Sequence, residues 1–219
     1  MKKIGSLILT AVFIFALTSC GNKTNNKIEG TDAQAVANGE GVKLAVDSTQ
    51  SVIEWVGSKV GGKHNGTLTL KNGEITVNDS TIAAGTFTID MKTVKALDQS
   101  EDMNKMLANH LMSPDFFDVE NNPEASFSIT AAQPIANNDS LNVQISGNLT
   151  LKGIEKNITF KAKATKDGDV YKAVSEAFTI DRTQFGIVYK SKSTLNDIKE
   201  AFINDEIELK ITIVAKAAN

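Results

Sequence analysis

Glu206-Ile207-Glu208-Leu209-Lys210-Ile211-Thr212-Ile213 alternates polar and apolar side chains without a fault. A β-strand turns successive side chains to opposite faces, so Ile207, Leu209, Ile211 and Ile213 share one face and Glu206, Glu208, Lys210 and Thr212 the other. Such a strand fits an antiparallel sheet with one face on a core and the other in water. Moving outward from it, the same period of two recurs from Lys43 onward, with turn signals between the runs. Ile53 and Trp55 alternate with Val52 and Glu54. Leu68 and Leu70 lead through Lys71-Asn72-Gly73 to Ile75 and Val77, which predicts a hairpin with an Asn-Gly turn. Phe87, Ile89 and Met91 form another face, as do Phe127 and Ile129. Leu141, Val143 and Ile145 are separated by Gly147 from Leu149 and Leu151. Ile158, Phe160, Ala162 and Ala164 run into a Lys166-Asp167-Gly168 turn. The following run carries Val170, Val174, Phe178 and Ile180 on one parity, with Lys172 and Glu176 interrupting it.

One segment departs from the pattern. Glu101 to Leu111 lacks β-branched residues and places Met103, Met106, Leu107, His110 and Leu111 at helical spacing, which predicts a single amphipathic helix. Pro114 closes it and Phe116 and Phe117 follow, a combination suited to a lid over a barrel opening. A chain with about eight antiparallel strands must deal with its exposed edges, and closing the sheet on itself removes them. A closed sheet of this size can hold one small apolar ligand. On pattern alone a β-sandwich stays open as the alternative.

The N-terminus has a different character. Lys2 and Lys3 precede an almost wholly apolar, uncharged stretch from Ile4 to Leu17, the plan of a secretory signal. Leu17-Thr18-Ser19-Cys20 then matches a bacterial lipobox and contains the only cysteine of the chain. Residues 1–19 are therefore expected to be removed and Cys20 to be lipidated, anchoring the protein in a membrane. From Cys20 to Gly41 the chain has scarcely a large apolar residue and reads as a flexible tether. Residues 42–219 remain as one domain, enough for a sizeable core.

Charge and composition exclude several roles. Loss of residues 1–19 removes Lys2 and Lys3 and no acid, moving the formal charge from −3 to −5. A mildly acidic domain without a basic stripe does not bind nucleic acid electrostatically. With Cys20 acylated, no thiol is left for a disulfide, a thiolate metal site or a nucleophile. The two histidines, His64 and His110, are too few for a closed zinc site, and no Gly-x-Ser-x-Gly elbow occurs. The expectation is a protein without cofactor, metal or catalysis. Arg182 is the only arginine among 23 basic residues. A lone guanidinium points to a planar partner, either the carboxylate of Asp181, Asp205 or Glu206 or a ligand's headgroup.

Taken together, the segments resemble the YceI family of bacterial lipocalin-like barrels that bind polyisoprenoid or related long-chain lipids. The resemblance runs from about Val42 to Ala217. It is carried by Ser51-Val52-Ile53-Glu54-Trp55, Gly62-Lys63-His64-Asn65-Gly66, Phe87-Thr88-Ile89-Asp90-Met91 and the stretch from His110 to Phe117. Gly147-Asn148-Leu149-Thr150-Leu151-Lys152-Gly153 and Ile180-Asp181-Arg182-Thr183-Gln184-Phe185-Gly186-Ile187 are its strongest strings. The resemblance implies an all-β fold, a lipocalin-like antiparallel up-and-down barrel with one short helical insertion and a long apolar channel. It places Trp55, Phe87, Ile89, Phe127, Phe178, Ile180 and Phe185 inside as ligand contacts, with Leu111, Phe116 and Phe117 near the mouth. His64, His110 and Arg182 are candidate polar contacts to a headgroup.

The expected partners are an isoprenoid or other long-chain lipid and, through Cys20, the membrane, with a homodimer left open. No acidic cluster follows Cys20, which favours a periplasm-facing anchor in the bacterial envelope. The alternative is an interaction lipoprotein whose barrel is filled by its own side chains and whose outer face meets another envelope protein.

Overall fold

The computed structural model describes residues 26–79, 81–192 and 202–217. The signal segment and Cys20 lie outside the described residues. The strands are β1 (Lys27–Ile28), β2 (Val42–Val46), β3 (Val52–Lys59), β4 (Gly62–Asn78), β5 (Thr81–Ala96), β6 (Glu124–Pro134), β7 (Val143–Leu151), β8 (Ile154–Asp167), β9 (Val170–Ser175), β10 (Phe178–Asp181) and β11 (Ile203–Ala217). The helix α1 (Glu101–Met112) joins β5 to β6, and a 3₁₀ turn (Arg182–Phe185) follows β10.

Strands β3 to β9 pair in sequence order, each antiparallel to the next. Strand β11 closes the ring because its two edges are used at once: Thr212 lies opposite Val174 of β9 on one side and Val52 of β3 on the other. A ring of eight strands results. It is the up-and-down barrel expected above, and closure leaves no sandwich. The alternation that opened the sequence reading sets its interior, with Ile207, Leu209, Ile211 and Ile213 facing inward.

Three local expectations change. Lys71-Asn72-Gly73 is not a turn but lies inside β4, at a break in register between Leu70 and Asn72. Glycine is needed there for close approach: a Cβ on Gly73 would lie 2.9 Å from Val46 Cγ2 and 3.1 Å from the Thr86 carbonyl oxygen. The chain reverses instead beyond Asn78, with Asp79 in the left-handed conformation at φ 54°. The run from Val170 to Ile180 changes parity partway. Tyr171, Ala173 and Ser175 are the buried positions in β9, Phe178 and Ile180 in β10, and the residues Glu176-Ala177 between them shift the phase by one.

The third change concerns the tether. Residues 26–41, expected to be free, lie along the outside of the barrel. Strand β1 adds in parallel to β10, Thr31 bridges Asn157 of β8, Gln34 binds Asn148 of β7, and the Ala37 N–H donates to the Ile129 carbonyl of β6 at 2.8 Å. Polarity alone suggested disorder, but a series of hydrogen bonds holds the strap, and Ile28 and Ala37 pack against the core. Asn148 is its clamp. Its side-chain oxygen accepts from the Gln34 N–H at 3.0 Å and from Asn157 Nδ2 at 2.8 Å, and its Nδ2 donates to the Gln34 carbonyl at 2.8 Å. Both asparagines are buried although neighbouring Leu149 and Ile158 are the residues that line the interior.

Candidate functional site

The barrel is hollow. Its inward side chains leave a cavity of about 430 Å³ reaching from the apolar floor to the end covered by α1, within the range of small-ligand pockets. Small residues keep it open: Ala125, Ala162 and Ala173 stand on its wall. Gly147 makes room on the wall for a neighbouring ring, since a Cβ there would lie 2.2 Å from Cζ of Phe127. Phe87, Phe127, Phe160 and Phe178 run in series across the floor with centroid separations of 6.2, 5.8 and 4.7 Å, the last pair stacked. Trp55 covers Gly66 on the adjacent strand, whose missing Cβ would sit 2.6 Å from the indole Cζ2. The Trp55 Nε1 is buried without a hydrogen-bond partner among the described residues.

Polar groups gather at the other end. Helix α1 turns Leu107, His110 and Leu111 onto the cavity, and the exit segment adds Phe116 and Phe117. Glu101 and Asp102 in the first turn suit the helix dipole. Asn104 closes the helix start by accepting from the Gln99 N–H and donating to its carbonyl. The His110 ring meets Phe116 and Tyr189 edge-on at 5.0 and 5.1 Å, and its Nε2 lies 3.1 Å from Asp115. His64, opposite Gly57 in the β3–β4 register, sets its Nδ1 2.9 Å from Asp98. Burial acts to raise the Asp98 carboxyl, but hydrogen bonds from the His64 ring and the Asn65 N–H, with the His64 charge, outweigh it and hold the pKa below the ordinary value.

Arg182 is fully buried in the wall at this end. Its Nε donates to the Asn204 carbonyl, Nη1 to Ile187, and Nη2 to Ile203 and to Asp205 at 3.2 Å. Burial lowers its pKa, and the charges of Asp205 and Asp181 oppose that shift. Four of its five N–H donors are thus engaged by the barrel itself. Asp205 is one of the three carboxylates expected as its partner.

Most of the residues singled out in the sequence therefore meet at one cavity: Trp55, Phe87, Ile89, Leu111, Phe116, Phe117, Phe127, Phe178, Ile180, His64, His110 and Arg182 all contribute to its wall. Phe185 does not. It is fully buried in the core behind the wall, because the 3₁₀ turn ends the two-residue alternation that carried Phe178 and Ile180 inward. Lys59, Tyr189 and Lys190 line the cavity without having been singled out. Nothing in their local sequence marks them: Lys59 ends β3, Tyr189 and Lys190 lie in the loop beyond the 3₁₀ turn, and Ile203 pairs with both Lys59 and Lys190. Among the described residues no cluster of three or more His, Cys, Asp or Glu could hold a metal ion.

Comparison with known proteins agrees with this architecture. The family model described as YceI-like domain matches residues 44–215. A UPF0312 protein of Pseudomonas putida strain W619 is 28% identical over 127 residues, covering 58% of this chain and 62% of its own length. A UPF0312 protein of Pseudomonas aeruginosa strain LESB58 is 40% identical over 93 residues, covering 39% of this chain and 47% of its own length. The chain thus spans about half to three fifths of the curated relatives it matches. Among solved structures, BcnA of Burkholderia cenocepacia superposes with a TM-score of 0.62 at 21% identity, covering 78% of this chain and 99% of that one. A polyisoprenoid binding domain from Saccharophagus degradans, implicated in plant cell wall breakdown, gives 0.57 at 15% identity, covering 82% and 100%. At these identities the two structures bear on the fold.

Proposed function

The chain belongs to the YceI-like family, and from that membership and the hollow barrel we propose that it is a non-enzymatic envelope lipoprotein that binds a polyisoprenoid or similar long-chain amphiphile. The observation that carries the reading is the apolar cavity of about 430 Å³. A prenyl chain entering it would exchange water for the aromatic floor at ~0.8 kcal/mol per buried carbon, about 4 kcal/mol per five-carbon unit before the costs of ordering. The polar end would face the head of the lipid. The relative from Saccharophagus degradans, a polyisoprenoid binding domain of the same fold, supports the chemical class. An interaction protein with a self-filled barrel would have no use for the space.

Anchoring rests on the N-terminal sequence. Lys2 and Lys3, the apolar run from Ile4 to Leu17 and the lipobox at residues 17–20 support export and acylation at Cys20, with the barrel on the periplasmic side. The function is tested by native mass spectrometry, with solvent extraction, of the full chain purified from bacterial membranes in a mild detergent. A stoichiometric long-chain lipid should be retained, and it should be lost from Ala162→Phe, which fills the cavity from a wall alanine. Retention of the same lipid by that variant, with its melting temperature unchanged, would refute the cavity as the binding site.

A further inference from the structure

Resting on the proposed anchoring at Cys20, we infer that the end of the barrel covered by α1 is a membrane-docking surface, seated on the leaflet that holds the anchor so that the cavity opens against lipid. Among the described residues nine large hydrophobic side chains are exposed, and six of them, Val60, Leu97, Met103, Met106, Ile154 and Val188, belong to this end. Scattered singly, exposed apolar residues need no explanation; gathered around one opening they mark a contact surface.

Helix α1 leaves part of its apolar stripe bare. Leu107, His110 and Leu111 line the cavity, whereas Met103 and Met106, one turn earlier on the same stripe, are 48% and 65% exposed. Leu97 precedes the helix, and its N–H donates to the Asn65 carbonyl beside His64. Val60 lies in the turn between β3 and β4. Ile154 opens β8 next to Lys152, whose Nζ donates to the Pro114 carbonyl beyond α1, and Val188 precedes Tyr189. In the ring of eight the β3–β4 turn stands across the mouth from the β7–β8 turn, so Val60 and Ile154 occupy opposite sides of the rim. Apolar residues on both sides of an opening suit a broad, flat lipid surface better than the single groove that takes one partner helix or strand.

The attachment point of the strap favours the same end. Lys27 pairs with Thr179 and Thr179 with Glu208, so the strap joins the barrel five residues from the mouth end of β11 at Ile203 and nine from its far end at Ala217. At about 3.3 Å per residue and a strand tilt of about 40°, these are roughly 13 and 23 Å along the barrel axis. Residues 21–25 reach at most about 20 Å. With Cys20 held in a leaflet, the mouth end of β11 is within reach of that surface and the far end is not. Seated there, the barrel would exchange its ligand with the leaflet without passing it through water.

The test uses the full chain, purified from bacterial membranes and reconstituted into phosphatidylcholine vesicles with and without nitroxide-labelled lipid. Cys20 is the only cysteine, and acylation takes its thiol, so one new cysteine accepts an environment-sensitive dye. Asn109→Cys places it on the exposed side of α1, and Asp169→Cys places it in the far β8–β9 turn. Because an apolar face resting on a leaflet sinks about 5–10 Å into it, nitroxide lipid should quench the dye at 109 at least roughly threefold more than the dye at 169. Leu97→Gln/Met103→Gln/Met106→Gln changes three side chains that are exposed, and it should bring the two sites to equal quenching with the melting temperature unchanged. Equal quenching in the parent chain, or an undiminished difference in the triple variant, would overturn docking by this rim while leaving the anchor intact. A dye at 109 that is shielded from water yet not quenched would assign the rim to a second copy or another protein and would overturn the inference as well. A chain that does not float with the vesicles would overturn the anchoring and the inference together.

Discussion

Gly147→Ala offers a sharp test of how the barrel keeps its interior open. The added methyl would lie 2.2 Å from Phe127 Cζ and 2.7 Å from Cε2, so the ring must retreat by more than an ångström. Phe87 and Phe160 flank it with centroids at 6.2 and 5.8 Å, which leaves the cavity as the free direction. Overpacking of this kind costs about 1–3 kcal/mol. Against it stands a gain of about 0.4–1 kcal/mol from the smaller entropy of an unfolded chain without that glycine, available because Gly147 is not in the left-handed region. Overpacking wins over most of that range, and the melting temperature should fall by roughly 2–4 °C for each net kcal/mol. Thermal unfolding of Gly147→Ala, Phe127→Leu and the double variant completes the cycle. The smaller leucine side chain should relieve the clash, so that Gly147→Ala costs less than half as much in that background. Equal cost in both backgrounds would refute the assignment of Gly147 to housing the Phe127 ring.

Replacing Asn148 with Ala removes the clamp's three hydrogen bonds; at about 0.5–1.5 kcal/mol each the strap should loosen, and hydrogen exchange at Thr31, Gln34 and Ala37 should accelerate while that of β7 and β8 does not. Asp98 is charged to lower pH in the folded protein than its ordinary 3.8. Its stabilising contribution is therefore present above about pH 4 and lost as the pH falls through the depressed value, so Asp98→Asn should lower the melting temperature at pH 7 and flatten the acid limb of the stability profile. Arg182→Met abandons Asp205 and three carbonyls in the wall and should destabilise by about 3–5 kcal/mol, readable by urea titration.

The barrel was legible because burial on one face writes itself into alternate positions, as from Ile207 to Ile213. Legibility failed where the phase slips. Val170 and Val174 look like interior residues until Glu176-Ala177 shifts the register and hands the inside to Tyr171 and Ala173. Asn72-Gly73 is chemically a turn, yet its glycine answers to Val46 and Phe87, residues distant in sequence. The aromatic wall was found from its period of two, whereas the basic end was found only in part. Lys59 and Lys190 have no pattern of their own, and only the pairing of both segments with Ile203 makes them neighbours. Residues 26–41 misled for a related reason, because their partners are backbone groups and amides on strands distant in the chain, Asn148 and Ile129 among them.

That strap also limits how the protein travels. On the proposed acylation at Cys20, and with the polypeptide pinned from Asn26, whose carbonyl accepts from the Thr179 N–H, the mooring line is no longer than residues 21–25. Fully drawn out at about 3.3–3.6 Å per residue, such a run spans at most about 20 Å. A barrel moored so closely cannot ferry cargo across a compartment. On that proposal the barrel would be a berth: hydrophobic molecules would have to reach it through the leaflet beneath or be handed over by a carrier that comes alongside, and cutting the strap loose would turn a fixed station into a roving one.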